Sequence, residues 1–362
     1  MSEKLRVMVV DDSAFNRRTI GDLLANIEGV EVVGKAADGD EALKLAASLL
    51  PDLITLDLEM PRMDGFTFLR LLMARQPTPV IVVSGNSARE NVFRALELGA
   101  LDFIAKPTRT IASDLSVIEQ DLVAKVAMVR QLTPAGRDVK KRIGRGTSAQ
   151  HVFAGAAERM QPPAPLPPEK DAALSRIVVI GASTGGPSAL VEVFSQFRAG
   201  ASAAVVVAQH MPERFTRTFA ERLNKLGGLK VSEARDFEPL HPGRAVLCPG
   251  GKCLEVVTFG NGYAASVVDP APSDRFIPSA DRLFRSAAEA AGDKVVGVVL
   301  TGMGDDGARG VVAIKARGGM VIAESAETAV IYGMPGAAMR TGEVDKSLPL
   351  PALASHLAEL VV

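Results

Sequence analysis

The stretch R-I-V-V-I-G-A-S-T-G-G-P at 176–187 places a serine, Ser183, in a glycine-dense turn after an apolar, β-branched run. Three readings of such a turn are open: a cradle of backbone N–H groups for a phosphate, a raised nucleophilic hydroxyl, or a tight strand-to-helix turn without chemistry. The phosphate signatures fail, because the chain contains no G-K-[ST] and Ser183 stands where G-x-G-x-x-G needs its second glycine. G-A-S-T-G does fit G-x-S-x-G, and a serine nucleophile needs a base, usually histidine. The chain has four histidines: His151 in a proline-bearing stretch, His241 before a proline, His356 in an amphipathic tail, and His210 directly after A-A-V-V-V-A-Q. Only His210 is expected at the end of an apolar strand, on the same sheet edge as Ser183. A carboxylate that orients the imidazole is expected at a third strand end, and T-G-M-G-D-D-G at 301–307 offers Asp305 and Asp306 between glycines that let the backbone bend sharply. A lone strand-end histidine would read as a surface residue; a hydroxyl, an imidazole and a carboxylate from three strand ends do not. Their order, Ser-His-Asp, differs from the Ser-Asp-His order of the α/β-hydrolases, so the expected sheet is a different doubly wound one.

A second set of reactive groups lies in the first third of the chain. Asp11 and Asp12 end one apolar run, Asp57 ends another in L-D-L-E-M-P-R-M-D-G, Ser84 a third, and Lys106 a fourth. Acids gathered at the carboxyl ends of parallel strands repel one another unless a cation joins them, and an all-oxygen ligand set suits Mg²⁺. Asp57 is then placed to accept a phosphoryl group, with Ser84 and Lys106 positioned to bond its oxygens. Helix capping would account for one or two of these acids, not for acids, hydroxyl and lysine together.

These groups require strands alternating with helices. From residue 5 to about 107, apolar runs at Leu5–Val10, Val30–Gly34, Leu53–Leu58, Val80–Val83 and Phe103–Ala105 alternate with helix-like stretches at Ser13–Ile27, Asp40–Leu50, Phe66–Arg75 and Arg89–Leu98. A further amphipathic helix is expected over Leu115–Leu132. Residues 133–174 hold T-P-A-G, a basic cluster and Q-P-P-A-P-L-P-P, and read as a linker stiffened by prolines. From 175 the rhythm resumes, with runs at Arg176–Ile180, Ala203–Ala208, Arg244–Leu247, Leu254–Thr258, Lys294–Leu300 and Met320–Ala323. Helix-like stretches there are Ser188–Gln196, Phe215–Leu226, Ile277–Ala291 and Ala308–Ala316. The expected fold class is α/β: two doubly wound parallel-sheet domains, flavodoxin-like over 1–132 and Rossmann-like over 175–362, joined by a Pro-rich linker.

In these positions the chain resembles two known families. D-D-S at 11–13, L-D-L-E-M-P-R-M-D-G at 56–65 and A-L-D-F-I-A-K-P at 100–107 resemble response-regulator receiver domains. That resemblance implies that Asp57 is phosphorylated by a histidine-kinase partner, that Asp11, Asp12 and Asp57 form the metal pocket, and that Ser84, Phe103 and Lys106 form the switch. I-G-A-S-T-G-G-P, Q-H-M-P, P-S-A-D-R-L-F-R-S-A-A and L-T-G-M-G-D-D-G-A-R-G resemble the catalytic domain of the chemotaxis protein-glutamate methylesterases. It implies Ser183 as nucleophile, His210 as base, Asp306 rather than Asp305 as the orienting acid, and the backbone N–H of Met303 as an oxyanion donor. The implied substrates are glutamyl methyl esters, and glutamines to be deamidated, on chemoreceptor cytoplasmic domains, with the unphosphorylated receiver covering the opening and phosphorylation loosening it. No cofactor is expected in that domain. Two stretches depart from the pattern: S-G-N-S-A-R-E after the fourth strand, and S-D-R-F-I before P-S-A-D, where more basic text is usual. The rival readings are a phospho-regulated binding module and a paralogue acting on a non-motility receptor array.

Composition narrows the field. With 41 Lys and Arg against 42 Asp and Glu, and no tryptophan, the chain has no broad basic field or stacking platform for nucleic acid. M-S-E-K-L-R-V-M-V-V-D-D reads as neither signal peptide nor membrane span, and a cytoplasmic protein without direct membrane insertion is expected. Cys248 and Cys253 flank P-G-G-K and are expected to face each other across a hairpin as reduced thiols; even with His241 their spacing fits no zinc pattern.

Overall fold

Parallel strands buried on both faces must be apolar throughout, and the central strands of both parallel sheets are of this kind. In the computed structural model, residues 4–85, 89–106, 119, 121–127, 129 and 174–362 are described. The chain divides into two units, Met1–His151 and Val152–Val362. The expected linker, its basic cluster and His151 lie outside the described residues.

The first unit holds a five-stranded parallel sheet of β1 (Leu5–Val10), β2 (Val30–Ala36), β3 (Leu53–Leu56), β4 (Val80–Ser84) and β5 (Asp102–Ala105), in the order β2-β1-β3-β4-β5. Helices α1 (Ala14–Ala25), α2 (Gly39–Leu49), α3 (Gly65–Arg75) and α4 (Arg89–Glu97) connect the strands. Three of the helices begin at polar caps: Ser13, Asp38 and Asp64 accept backbone N–H groups from Asn16, Glu41 and Thr67. The loop after β3 folds back on itself, so a Cβ on Gly65 would lie 2.4 Å from the carbonyl oxygen of Asp57. Of the helix expected over Leu115–Leu132, residues 119, 121–127 and 129 are helical and the rest lie outside the described residues.

The second unit carries a seven-stranded parallel sheet. Its strands are β6 (Ile177–Ala182), β7 (Ala204–Gln209), β8 (Lys230–Glu233), β10 (Arg244–Leu247), β13 (Val295–Val299), β14 (Met320–Glu324) and β15 (Lys346–Leu348). They run in the order β15-β14-β13-β6-β7-β10-β8. Odd-numbered Ile177 and Val179 join Leu283, Phe284 and Ile314 in one apolar cluster, while Val178 and Ile180 are buried on the opposite face. Both faces are therefore covered, by α5 (Gly186–Gln196), α6 (Glu213–Asn224), α7 (Ala280–Ala291), α8 (Ala308–Ala316), α9 (Met334–Arg340) and α10 (Leu350–Leu360).

Three expectations are corrected. The run at Leu254–Thr258 joins no parallel sheet; it lies in β11 (Cys253–Phe259), paired antiparallel with β12 (Gly262–Val268), which in turn pairs with the short β9 (Glu238–Pro239). F-G-N-G at 259–262 is a two-residue hairpin signal, with Gly260 at φ 57°, and it marks this pair in the sequence. Cys248 and Cys253 do not face across a hairpin, because β10 pairs with β7 and β8 while Cys253 lies opposite Val268. Both are free buried thiols, and burial pushes both pKa values up, so neither is a ready nucleophile. The helix expected from Ile277 starts at Ala280 instead, because Pro278 favours extended backbone before it and Ser279 caps the first turn by accepting from the Arg282 N–H.

Candidate functional site

The carboxyl ends of β6, β7 and β13 meet at one edge of the larger sheet. Ser183 follows β6, His210 follows β7, and the 301–307 loop follows β13. The backbone ties them: Ser183 N–H donates to the Thr301 carbonyl at 3.1 Å, and His210 N–H donates to the Ala182 carbonyl at 2.9 Å. The buried Gln209 amide adds a clip, donating to the Ser183 carbonyl at 2.9 Å and to the His210 carbonyl at 3.0 Å.

His210 and Asp306 are brought together directly, with Nε2 2.8 Å from Asp306 Oδ2. The half-buried imidazole thus keeps Nδ1 as the ring nitrogen not engaged by the acid. Ser183 Oγ shares the edge but makes no hydrogen bond to the ring; such contacts often tighten only with substrate in place. Asp306 is almost fully buried, and its second partner is a helix start. Its oxygens accept the Ala280 N–H at 2.7 Å, the Asp281 N–H at 2.9 Å, the Gly307 N–H at 3.1 Å and the Ser279 hydroxyl at 3.3 Å. Burial raises the pKa of such an acid, but the hydrogen bond and charge of His210 and the N–H groups of Asp281 and Ala280 outweigh it, and the pKa is lowered. The positive end of the α7 dipole works in the same direction. Asp305, by contrast, points outward into an exposed ion pair with Arg275 at 3.2 Å.

Gly302 lies so close to Ser183 that an added Cβ would sit 2.7 Å from the Ser183 Cβ. Gly302 N–H is consumed by the Ile331 carbonyl at 3.0 Å, whereas the next N–H, of Met303, makes no backbone hydrogen bond among the described residues. A free N–H beside a serine turn is the donor an oxyanion needs.

Reading the sequence missed Phe276 as a member of this site and marked its segment only as a departure. Its ring lies parallel to the His210 imidazole, with centroids 5.3 Å apart and planes 9° apart. The Arg275 guanidinium lies 5.4 Å from the Phe276 ring centroid. The available signal was S-D-R-F-I itself, since an aromatic just before a capped helix can reach the strand ends that the helix faces.

In the first unit, Asp11, Asp12 and Asp57 place ligand oxygens within 4.8 Å of one another, two of the acids buried and Asp12 exposed. Lys106 Nζ lies 2.9 Å from Asp11 and 2.5 Å from Asp57. Burial pushes the Asp11 pKa up by more than Lys106 pulls it down, and the Asp57 charge adds to the push. The Lys106 pKa is raised in turn: burial opposes the ammonium, but the hydrogen bonds of Asp57 and Asp11 prevail. An acid cluster still short of positive charge, with only oxygen donors and one open side, fits a Mg²⁺ ion that keeps part of its water. Ser84 is buried at the end of β4, its hydroxyl 3.5 Å from the Gly85 carbonyl. Phe103 is buried in β5, edge-on to Phe93 at 6.5 Å.

These features define a class: a receiver-type sheet with an acidic edge, followed by a parallel α/β unit with a hydrolase-type edge. Known proteins agree. A family model described as CheB methylesterase matches residues 178–357, and one described as Response regulator receiver domain matches residues 7–113. The chain is 46% identical to "Protein-glutamate methylesterase/protein-glutamine glutaminase 3" of Geobacter sulfurreducens, over 98% of this chain and 97% of that one. It is 44% identical to "Protein-glutamate methylesterase/protein-glutamine glutaminase 1" of Myxococcus xanthus, over 99% of both. The solved Thermotoga maritima CheB methylesterase catalytic domain is 37% identical, covering 52% of this chain and 99% of its own, with a TM-score of 0.48. The chain belongs to the family of protein-glutamate methylesterase/protein-glutamine glutaminases that carry a response-regulator receiver domain. Among the described residues, no helix is long and apolar enough to cross a membrane.

Proposed function

We propose that this protein hydrolyses glutamyl methyl esters, and deamidates glutamines, on the cytoplasmic domains of chemoreceptors. Ser183, His210 and Asp306 carry the reaction, and phosphorylation of Asp57 by a histidine kinase raises its rate. The observation that carries the reading is the His210–Asp306 pair, seated on a helix start beside the Ser183 turn. His210 takes the hydroxyl proton on Nδ1 as Ser183 Oγ attacks the ester carbonyl. Asp306 fixes the tautomer and stabilises the imidazolium. The Met303 N–H bonds the oxyanion of the tetrahedral intermediate. Collapse breaks the C–O bond to methoxide, which leaves as methanol with the proton from His210; from glutamine the leaving group is ammonia. Water, deprotonated by His210, then splits the acyl-serine to give glutamate and free Ser183.

The receiver supplies regulation. Asp11, Asp12 and Asp57 would hold Mg²⁺, whose charge offsets that of the phosphoryl group, and Lys106 and Ser84 would bond the phosphoryl oxygens. Release of methanol from methylated receptor, with and without a small-molecule phosphodonor, tests the whole reading. No methanol under either condition leaves the binding-module reading in its place. Asp57→Ala is expected to abolish the increment that the phosphodonor gives, measured in the same assay; a full response in that variant overturns the regulatory half.

Phe276 covers one face of the base, and the stacked ring holds the imidazole plane in place. Phe276→Ala is expected to lower kcat by about three- to tenfold, while Phe276→Tyr stays near the parent rate. Steady-state kinetics on one methylated receptor check both.

A further inference from the structure

Glu324, the last residue of β14, is about 1% exposed and makes no ion pair with a cation among the described residues. Burial pushes its pKa up to about 7, against the pull of the Thr301 N–H and the Thr328 hydroxyl, and the Glu192 charge on α5 adds to the rise. Glu192 is raised in its turn by burial. A carboxyl group buried without a cation is costly unless it is hydrogen-bonded. Both of its oxygens are used. Oε2 accepts the Thr301 N–H at 2.8 Å, and Oε1 accepts the Thr328 hydroxyl at 3.0 Å.

Thr301 is the hub to which this carboxyl is attached. Its own hydroxyl donates to the Thr184 carbonyl at 3.0 Å and accepts the Ile331 N–H at 2.9 Å. Its carbonyl accepts the Ser183 N–H at 3.1 Å. The next two residues are Gly302, which abuts the Ser183 Cβ, and Met303, whose N–H is the free donor. Thr301 thus ties the serine turn to the donor loop through its hydroxyl and its carbonyl, and its third polar group, the N–H, is anchored by Glu324.

We propose that Glu324 is a positioning residue: through Thr301 it sets the spacing between the Ser183 hydroxyl and the Met303 N–H. The inference rests on the hydrolase reading given above and extends it to a residue outside the site. A misplacement of about 1 Å between such groups costs on the order of a hundredfold in rate, so the anchor acts on the chemical step more than on binding.

The test uses the full-length chain and three variants. Glu324→Ala leaves the Thr301 N–H without its acceptor, and kcat on a methylated receptor is expected to fall about ten- to a hundredfold with KM within about twofold. Glu324→Gln can still accept from Thr301 through its carbonyl oxygen and donate to Thr328 through its amide, and is expected to restore kcat to within about threefold. Thr301→Val keeps the N–H but removes the hydroxyl bonds to Thr184 and Ile331, and its kcat is expected to fall as that of Glu324→Ala does. Hydrogen exchange in the 301–304 segment is expected to quicken in Glu324→Ala relative to Glu324→Gln, a readout that does not need the reaction. An unchanged kcat together with unchanged exchange in Glu324→Ala overturns the proposal, as does an equal kcat loss in the Gln and Ala variants. If Glu324→Ala does not fold, Thr301→Val with parental kcat overturns it. If the parent protein itself releases no methanol, the hydrolase reading fails, while the exchange measurement still decides whether Glu324 anchors the loop.

Discussion

Ser183→Ala is expected to reduce methanol release by about 10⁶-fold in kcat, because removal of a serine nucleophile costs about as much as removal of a whole triad. The fold should not register the change. Hydrogen bonds that tie residue 183 into the sheet edge come from its main chain: the N–H to Thr301, and the carbonyl to the Gly186 N–H and the Gln209 amide. Alanine keeps all three. Unfolding free energy is therefore expected within about 0.5 kcal/mol of the parent, as for a substitution away from packed or bonded side-chain atoms. Denaturant unfolding and the methanol assay on one preparation separate the two effects. Turnover above about one part in a thousand of the parent would mean that another group attacks the ester, and the mechanism would have to be abandoned.

Asp306→Asn has the second largest expected effect, and here activity and stability change together. In activity, loss of the carboxylate allows the wrong imidazole tautomer, and a fall of about 10⁴ in kcat is expected. In stability, the Asp306 oxygens accept from His210, Ser279, Ala280, Asp281 and Gly307. An amide has one oxygen, so its NH₂ group must face donors, at a cost of roughly 1–3 kcal/mol. The pH dependence follows from the direction of the shift. The Asp306 pKa is lowered in the folded chain from an ordinary value of 3.8, so the unfolded chain binds the proton more readily. Its contribution to stability is present above that value and is lost as pH falls through the folded pKa. The gap in stability between parent and Asp306→Asn should therefore hold at neutral pH and narrow below about pH 4. A gap that stays constant into acid would show that Asp306 is not held as a charged group.

Much of this was legible in the chain because parallel strands announce themselves. A buried strand must be apolar on both faces, so Ile177–Ala182, Ala204–Gln209 and Val295–Val299 stand out as β-branched runs. The residue that follows such a run lies at the functional edge by topology alone, which is why Ser183, His210 and the 301–307 loop stand out in the sequence. The acid cluster of the first unit stands out in the same way. Less legible were the elements whose pattern is not continuous: the antiparallel pair of β11 and β12 alternates weakly, and the short strands Lys230–Glu233 and Lys346–Leu348 are largely exposed and polar.

What the amino-acid order determined by itself was the type of group at each strand end, since β-branched runs and glycine turns are local features. What only the tertiary structure decided was which groups touch. Asp306 rather than Asp305 meets the imidazole because the bend of one loop turns the first acid outward to Arg275 and the second inward to the start of α7. Phe276 covers His210, and Glu324 reaches Thr301, across 66 and 23 residues of chain respectively, distances over which no local pattern operates. Such contacts depend on how helices pack on a sheet, and packing is a property of the whole unit rather than of any stretch within it.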